Sequence, residues 1–174
     1  MSRFKVWYWV IALVGLGLDL WSKSVAWDFL ACDGTGASQY TVIEGFFWLR
    51  CVRNKGGVWG IGQDYTQVLV VVRALLSVGI VVYMAFLDSS RRRLLWALSL
   101  VLGGALGNLY DSCKFKAVRD FLDFLIPVID YHWPTFNIAD SLICVGFGLL
   151  VIEMLFDRGE HKTVVRPSSS TETS

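Results

Sequence analysis

Residues 94–111, LLWALSLVLGGALGNLYD, decide how the rest of the chain is read. They open on a long apolar run and close on two polar residues, Asn108 and Asp111, three positions apart. A run of this kind reads as helix, and an Asn and an Asp at that spacing share one helical face. Gly103, Gly104 and Gly107 add the small-xxx-small spacing that lets helices approach closely in a bilayer; helix packing alone would explain these glycines equally well. Strands could cross a membrane only as a closed barrel, whose mark is alternation of apolar and polar residues. Neither 68–72 nor 143–152 alternates.

Outward from that stretch lie three others of the same character, giving spans at about 6–27, 67–87, 94–110 and 138–156. Each suits a bilayer core of roughly 30 Å, which takes about 20 helical residues. The composition agrees: of 174 residues, 55% are hydrophobic and only 18% charged, against roughly 25% charged in a soluble domain. That excludes an ordinary water-soluble globule. A mean hydropathy of +0.52, with 8 Trp, 6 Tyr and 11 Phe, excludes a disordered chain. The net charge of +1 offers no basic excess for nucleic acid. The expected fold is an all-α integral membrane protein: a four-helix domain over 1–157, a β-rich outer loop at 28–66, a second outer loop at 111–137, and a polar tail at 158–174.

Arg3, Lys5, the triplet Arg91, Arg92 and Arg93, and Arg158, Lys162 and Arg166 fall in three segments that share one side. Positive loops stay in the cytoplasm, so both termini are expected there. The first span also has the basic start of a cleaved signal peptide, but its length, its Trp7, Tyr8 and Trp9, and the lack of a small-x-small cleavage site favour retention. Phe29-Leu30-Ala31-Cys32 fits a lipidation box poorly, since Leu30 is large and Asp28 precedes it. In the first outer loop, Val, Ile, Phe and Trp between Tyr40 and Asn54 are interrupted by Glu44, Arg50 and Arg53, which reads as short strands. Asn54-Lys55-Gly56-Gly57 is a turn signal. Phe46, Phe47, Trp48 and Trp59 suit the membrane interface, or simply a hydrophobic plug. Cys32 and Cys51 share this loop and could form a disulfide.

Ionisable groups inside a membrane are costly, so their depths carry information. Asp19 lies roughly 20 Å from the inner edge, with Lys23 one turn further out, and Arg73 sits about 9 Å below the outer face. Asp111 is expected to end the third helix and Asp140 to begin the fourth, so all five converge in the outer half. Asp19 and Lys23 are four apart and would pair along one helix even without a site, as Arg73 could with a neighbouring carboxylate. Asn108-Leu109-Tyr110-Asp111 and Asn137-Ile138-Ala139-Asp140 repeat one pattern where two helix ends meet. The loop between them adds Asp120, Asp123 and Asp130, with 118–124 an amphipathic stretch able to return to the membrane surface. Thr135, after Pro134, is the expected helix cap.

Two carboxylates at a partly desolvated edge can share one proton, the arrangement of an aspartic protease. A Ser or Cys nucleophile lacks a suitable His, since His132 and His161 are the only histidines, and no HExxH or close Cys pair marks a metal site. A thiol oxidoreductase would want CxxC, which Cys32, Cys51, Cys113 and Cys144 do not form. An ion or proton pathway would want polar groups in the inner half as well, where Glu153 stands almost alone.

Five motifs run in order along the chain: Asp19-x-x-Ser22-Lys23, Asn54-x-Gly56-x-x-Trp59-Gly60, Gly103-Gly104-Ala105-x-Gly107-Asn108-x-x-Asp111, Val118-x-Asp120-Phe121, and Phe136-Asn137-x-Ala139-Asp140-Ser141. In this the sequence closely resembles the lipoprotein signal peptidases (type II), four-span aspartic proteases of bacteria. The resemblance implies that Asp120 and Asp140 are the catalytic pair, and that Asn54, Asn108, Asn137, Asp111, Asp19, Lys23 and Gly104 bind substrate or support the site. The implied substrate is a diacylglyceryl-modified prolipoprotein, cut just before the lipidated cysteine at the outer face of the bacterial inner membrane. Membrane lipid is the other implied partner, the implied state is a monomer, and neither metal nor organic cofactor is implied. Arg50, Arg53 and Arg119 are expected to touch lipid headgroups or to be solvated. The chain departs from the family pattern at Ser112, where Arg is usual, at Leu20, where Gln is usual, and at Trp59, where Phe is commoner.

Overall fold

The computed structural model of the chain describes residues 3–33, 38–56 and 65–163, with the side chains of those from 5 to 156. Four helices are long and apolar enough to cross a membrane: α1 (Arg3–Phe29), α2 (Thr66–Phe86), α3 (Arg92–Phe115) and α4 (Ile138–Thr163). Strands β1 (Gln39–Ile43) and β2 (Phe47–Asn54) lie between α1 and α2, and β3 (Val118–Ile126) and β4 (Tyr131–His132) lie between α3 and α4.

The small residues of α3 explain its central place. It packs most extensively on α4, then α1, then α2, and it is the most buried of the four. A Cβ at Gly103 would meet the carbonyl oxygen of Ala12 at 2.8 Å, and one at Gly104 would run into the Ala139 carbonyl. Only glycine lets α1 and the start of α4 come this close. Tyr8, Ala12, Met84, Leu95, Leu98 and Leu102 form the core between the helices. Towards lipid, α2 buries only Ser77 and Met84, leaving an apolar wall of Val and Leu that suits a bilayer.

Two expectations are corrected here, and one element extends beyond its expected end. The third helix does not stop at residue 110 but runs to Phe115 and ends where Lys116 takes the left-handed conformation, φ 57°. Polar Asp111 and Ser112 do not terminate it because both are buried with partners. The two outer loops are not separate: they combine in one antiparallel sheet of order β1-β2-β3-β4, in which Val52 pairs with Asp120 and Asn54 with Val118. The fourth helix continues to Thr163, into the segment expected to be a solvated tail. Trp59, Gly60 and the residues after 163 lie outside the described residues.

Cys32 and Cys51 are joined in a disulfide, Cα–Cα 5.9 Å, tying the end of α1 to β2. Cys32 is thereby a cross-link, not a lipidation site. Phe47 stacks on Phe124 with ring centroids 4.3 Å apart, holding β2 against β3. This sheet caps the bundle at one end, beside the N-terminus of α4.

Candidate active site

The start of α4 organises the site. Thr135 was the expected cap, but Asn137 holds that position: its Oδ1 accepts the amide of Asp140 at 2.9 Å, and Asp140 Oδ2 accepts the amide of Asn137 at 3.2 Å. This reciprocal capping box satisfies two amide groups that a helix start leaves open. A third, that of Ala139, donates to Asp19 Oδ1 of α1 at 2.8 Å. The side chains that close the helix are therefore those the sequence singled out.

Asn137 also reaches outward. Its Nδ2 donates to Asp120 Oδ1 at 2.6 Å and, more weakly, to Asn108 Oδ1 at 3.2 Å. Asn108 Nδ2 donates in turn to Asp140 Oδ1 at 2.8 Å. Asp120 on β3 and Asp140 on α4 thus come together across a bridge of two amides. Asn54, at the end of β2, also hydrogen-bonds Asp120. Asp120 is 1% exposed. Its carboxyl is pushed up to about 7, first by burial and then by the negative charge of Asp140.

Around this pair stands a charged frame. Lys23, fully buried, places its Nζ 2.7 Å from Asp19 Oδ2, 2.9 Å from Asn108 Oδ1 and 3.5 Å from Asp111 Oδ2. Asp19 and Lys23 do form the one-helix pair that spacing allows, yet both also contact neighbouring elements. A Cβ at Gly107 would collide with the Asp19 carboxylate, so this glycine makes room for the pair. Asp111 is held by a fork from Arg119, with Nη2 to Oδ1 at 2.8 Å and Nε to Oδ2 at 3.1 Å. Arg119 is 7% exposed, with its guanidinium over the Phe115 ring. It therefore belongs to the frame rather than to headgroups or open water. Each buried charge has an opposite charge or several donors, as burial requires.

Asp123 lies three residues after Asp120 in the same stretch. The residue alternation of a strand puts these two on opposite faces of β3, not on one amphipathic face. Asp123 meets His132 Nδ1 at 2.9 Å and Arg50 Nε at 2.9 Å. The approach of Arg50 is a charge contact without hydrogen-bond alignment, since Nε points to Gln39 Oε1 at 3.2 Å. Sequence reasoning missed this cluster because its three members come from three strands.

All nine site residues expected from sequence lie in or beside this arrangement. A family model described as "Signal peptidase (SPase) II" matches residues 11–156. The chain belongs to the signal peptidase II family. Among its curated relatives, the lipoprotein signal peptidase of Bacillus pumilus (strain SAFR-032) is 40% identical over 157 residues, covering 90% of this chain and 97% of the relative. That of Solibacter usitatus (strain Ellin6076) is 42% identical over 158 residues, covering 88% and 92%. A bacterial membrane enzyme solved by the in meso method at 2.3 Å resolution superposes with a TM-score of 0.75 at 26% identity, covering 94% of this chain and 93% of that one. Signal peptidase II proteins are hydrolases, and the expected four-helix membrane architecture agrees with this structural neighbour.

Proposed function

We propose that this protein is an aspartic endopeptidase that removes the signal peptide from diacylglyceryl-modified prolipoproteins, cutting just before the lipidated cysteine. Family membership supports the substrate class. The observation that carries the mechanism is the Asn137 bridge: its side chain donates to the Asp120 carboxyl while its backbone amide donates to the Asp140 carboxyl, so one residue holds two carboxyl groups from different elements.

In this reading Asp120, pushed up to about 7, carries the shared proton at neutral pH. Asp140, fed by Asn108 Nδ2 and the Asn137 amide, takes a proton from the attacking water. The water oxygen bonds to the scissile carbonyl carbon while Asp120 protonates the carbonyl oxygen, giving a neutral gem-diol. In the second step the C–N bond breaks, Asp140 returns its proton to the leaving nitrogen, and a diol hydroxyl returns a proton to Asp120. The pair ends as it began.

The charge asymmetry of the loops supports a cytoplasmic position for both termini, which puts the site at the outer face of the inner membrane. There the acyl chains of the substrate stay among membrane lipid while its peptide bond reaches water. One chain supplies every residue of the pair and its frame, which supports action as a monomer. Single cysteines placed in the 158–174 tail should label only from the cytoplasmic side; labelling from outside alone would overturn this orientation. The central test is cleavage of a purified diacylglyceryl-modified substrate by wild type, Asp120→Asn and Asp140→Asn, with mass spectrometry locating the cut. Activity in either variant would reject the pair.

A further inference from the structure

Arg73 is half-buried in α2, a helix that fully buries only Ser77 and Met84. Among the described residues no carboxylate lies within ion-pair distance of it. Its guanidinium instead bridges two neutral acceptors: Nη1 donates to Ser112 Oγ of α3 at 2.7 Å, and Nη2 donates to the Gly56 carbonyl just beyond β2 at 2.8 Å. Each acceptor leads towards one member of the aspartate pair. Ser112 Oγ donates to the carbonyl of Asn108 at 2.6 Å, and Asn108 is the residue that bonds Asp140. On the other branch, the Gly56 amide donates to Asn54 Oδ1 at 2.9 Å, and Asn54 is the residue that bonds Asp120.

We propose that Arg73 is a positioning residue for the reaction. It clamps the turn at 54–56 to α3, so that the Asn54 amide stays aimed at Asp120, and it presents an unneutralised positive charge to the pair.

This inference rests on the aspartate pair of the preceding subsection. The turn needs such a clamp because β2 otherwise ends at Asn54 with its strand pairing exhausted, Asn54 to Val118 being the last pair. With Oδ1 engaged by the Gly56 amide, the Asn54 side chain has its Nδ2 left to donate. A guanidinium suits the task because its fork serves two acceptors in fixed geometry, which an ammonium cannot do. Its charge acts attractively on Asp140 and Asp120. Among the described residues the other charges near the pair are Lys23 and Asp19 from α1, Asp111 from α3 and Arg119 from β3; Lys23 is shared with Asp19, and Arg119 is engaged with Asp111. Among the described residues, Arg73 is thus the cation near the pair that is not paired with another carboxylate.

The test uses the purified full-length protein in detergent with one diacylglyceryl-modified peptide, and compares Arg73→Met, Arg73→Lys and Ser112→Ala with wild type. For Arg73→Met we expect kcat to fall roughly tenfold to a hundredfold, as for a misplaced reacting group, with KM within about threefold. Loss of the positive charge disfavours the ionised member of the pair, so the bell-shaped activity profile should move to higher pH by roughly half a unit. Arg73→Lys keeps the charge but spans only one acceptor, so its profile should stay in place while kcat falls less. Ser112→Ala frees one end of the clamp, with a loss of about threefold and no displacement of the profile. Wild-type kcat and an unmoved profile in Arg73→Met would overturn the proposal. If Arg73→Met does not fold, wild-type kcat in both Arg73→Lys and Ser112→Ala overturns it instead. Asp120→Asn in the same assay separates the two levels: if it cleaves, the aspartate pair itself is wrong; if it is dead while Arg73→Met is fully active, only the role of Arg73 is wrong.

Discussion

Asp120 and Asp123 stand three residues apart on one strand, each 1% exposed, and the protein treats them in opposite ways. Asp123 is given an arginine and an imidazole: Arg50 and His132 both lie 2.9 Å from its oxygens. Asp120 is given two neutral amides, those of Asn54 and Asn137, and a second carboxylate, and it is pushed up to about 7. A compensated carboxylate here only links neighbouring strands, β3 to β2 and β4. An uncompensated one stores an unfavourable interaction that a proton relieves, and a group able to take and release that proton near neutral pH is what acid–base catalysis needs. The contrast lies in the neighbours, since residue type, strand and burial are the same.

The largest expected effect breaks the pair while improving the fold. Asp120→Asn should remove cleavage by at least about a thousandfold, because the amide keeps the shape and can accept from Asn137 but cannot carry the catalytic proton. The same change should stabilise the protein in a defined pH window. The folded-state value of Asp120 lies above its unfolded value of 3.8, so the folded protein binds the extra proton and loses stability as pH rises from about 4 to about 7. The Asn variant has no such loss. Its unfolding midpoint in detergent should match wild type near pH 4 and exceed it by roughly 4 °C or more at pH 8. A lower midpoint for Asp120→Asn at pH 8 would mean that the carboxylate is compensated after all, and the contrast with Asp123 would fall.

Next in size is Asn137→Ala, which removes the bridge but neither carboxyl group. Cleavage should fall about a hundredfold through lost orientation, and loss of the helix cap should cost about 1 kcal/mol. Asn137→Ser separates these two effects. A serine restores the cap but is too short to reach Asp120, so stability should recover in thermal unfolding and activity should not. If activity returns with stability, Asn137 acts only as a cap.

How much of this could be read from the sequence depends on whether a feature is local. The four spans, the strands between Tyr40 and Asn54, and the two Asn-x-x-Asp patterns are local, and each has its counterpart in the structure, although the third helix runs on to Phe115. The cap was misassigned to Thr135 although Asn137 and Asp140 have the spacing of a capping box, so that error had a visible remedy. The strand β3 had none. Its apolar positions Val118, Phe121, Leu122 and Leu125 fit a helical repeat as well as a strand, and only pairing with β2, more than sixty residues earlier, decides between them. The fork from Arg119 to Asp111 and the clamp of Arg73 were hidden for the same reason. Each depends on a chain reversal or on helix packing that the partners themselves do not encode.

The smallest expected effect is that of Asp123→Asn, and it bears most directly on the comparison. Arg50 and His132 are 37% and 43% exposed, so solvent screens both contacts and neither contributes more than a fraction of a kcal/mol. An asparagine retains an oxygen for either partner, and strand pairing of Trp48 with residue 123 runs through the backbone, untouched by the change. Asp123→Asn should therefore cleave within about threefold of wild type and melt within about 2 °C of it. Single-turnover cleavage of one lipidated substrate by both variants ranks the two carboxylates directly. An inactive Asp123→Asn beside an active Asp120→Asn would reverse their roles, and would mean that a carboxylate held between an arginine and a histidine, rather than one held among amides, carries the proton.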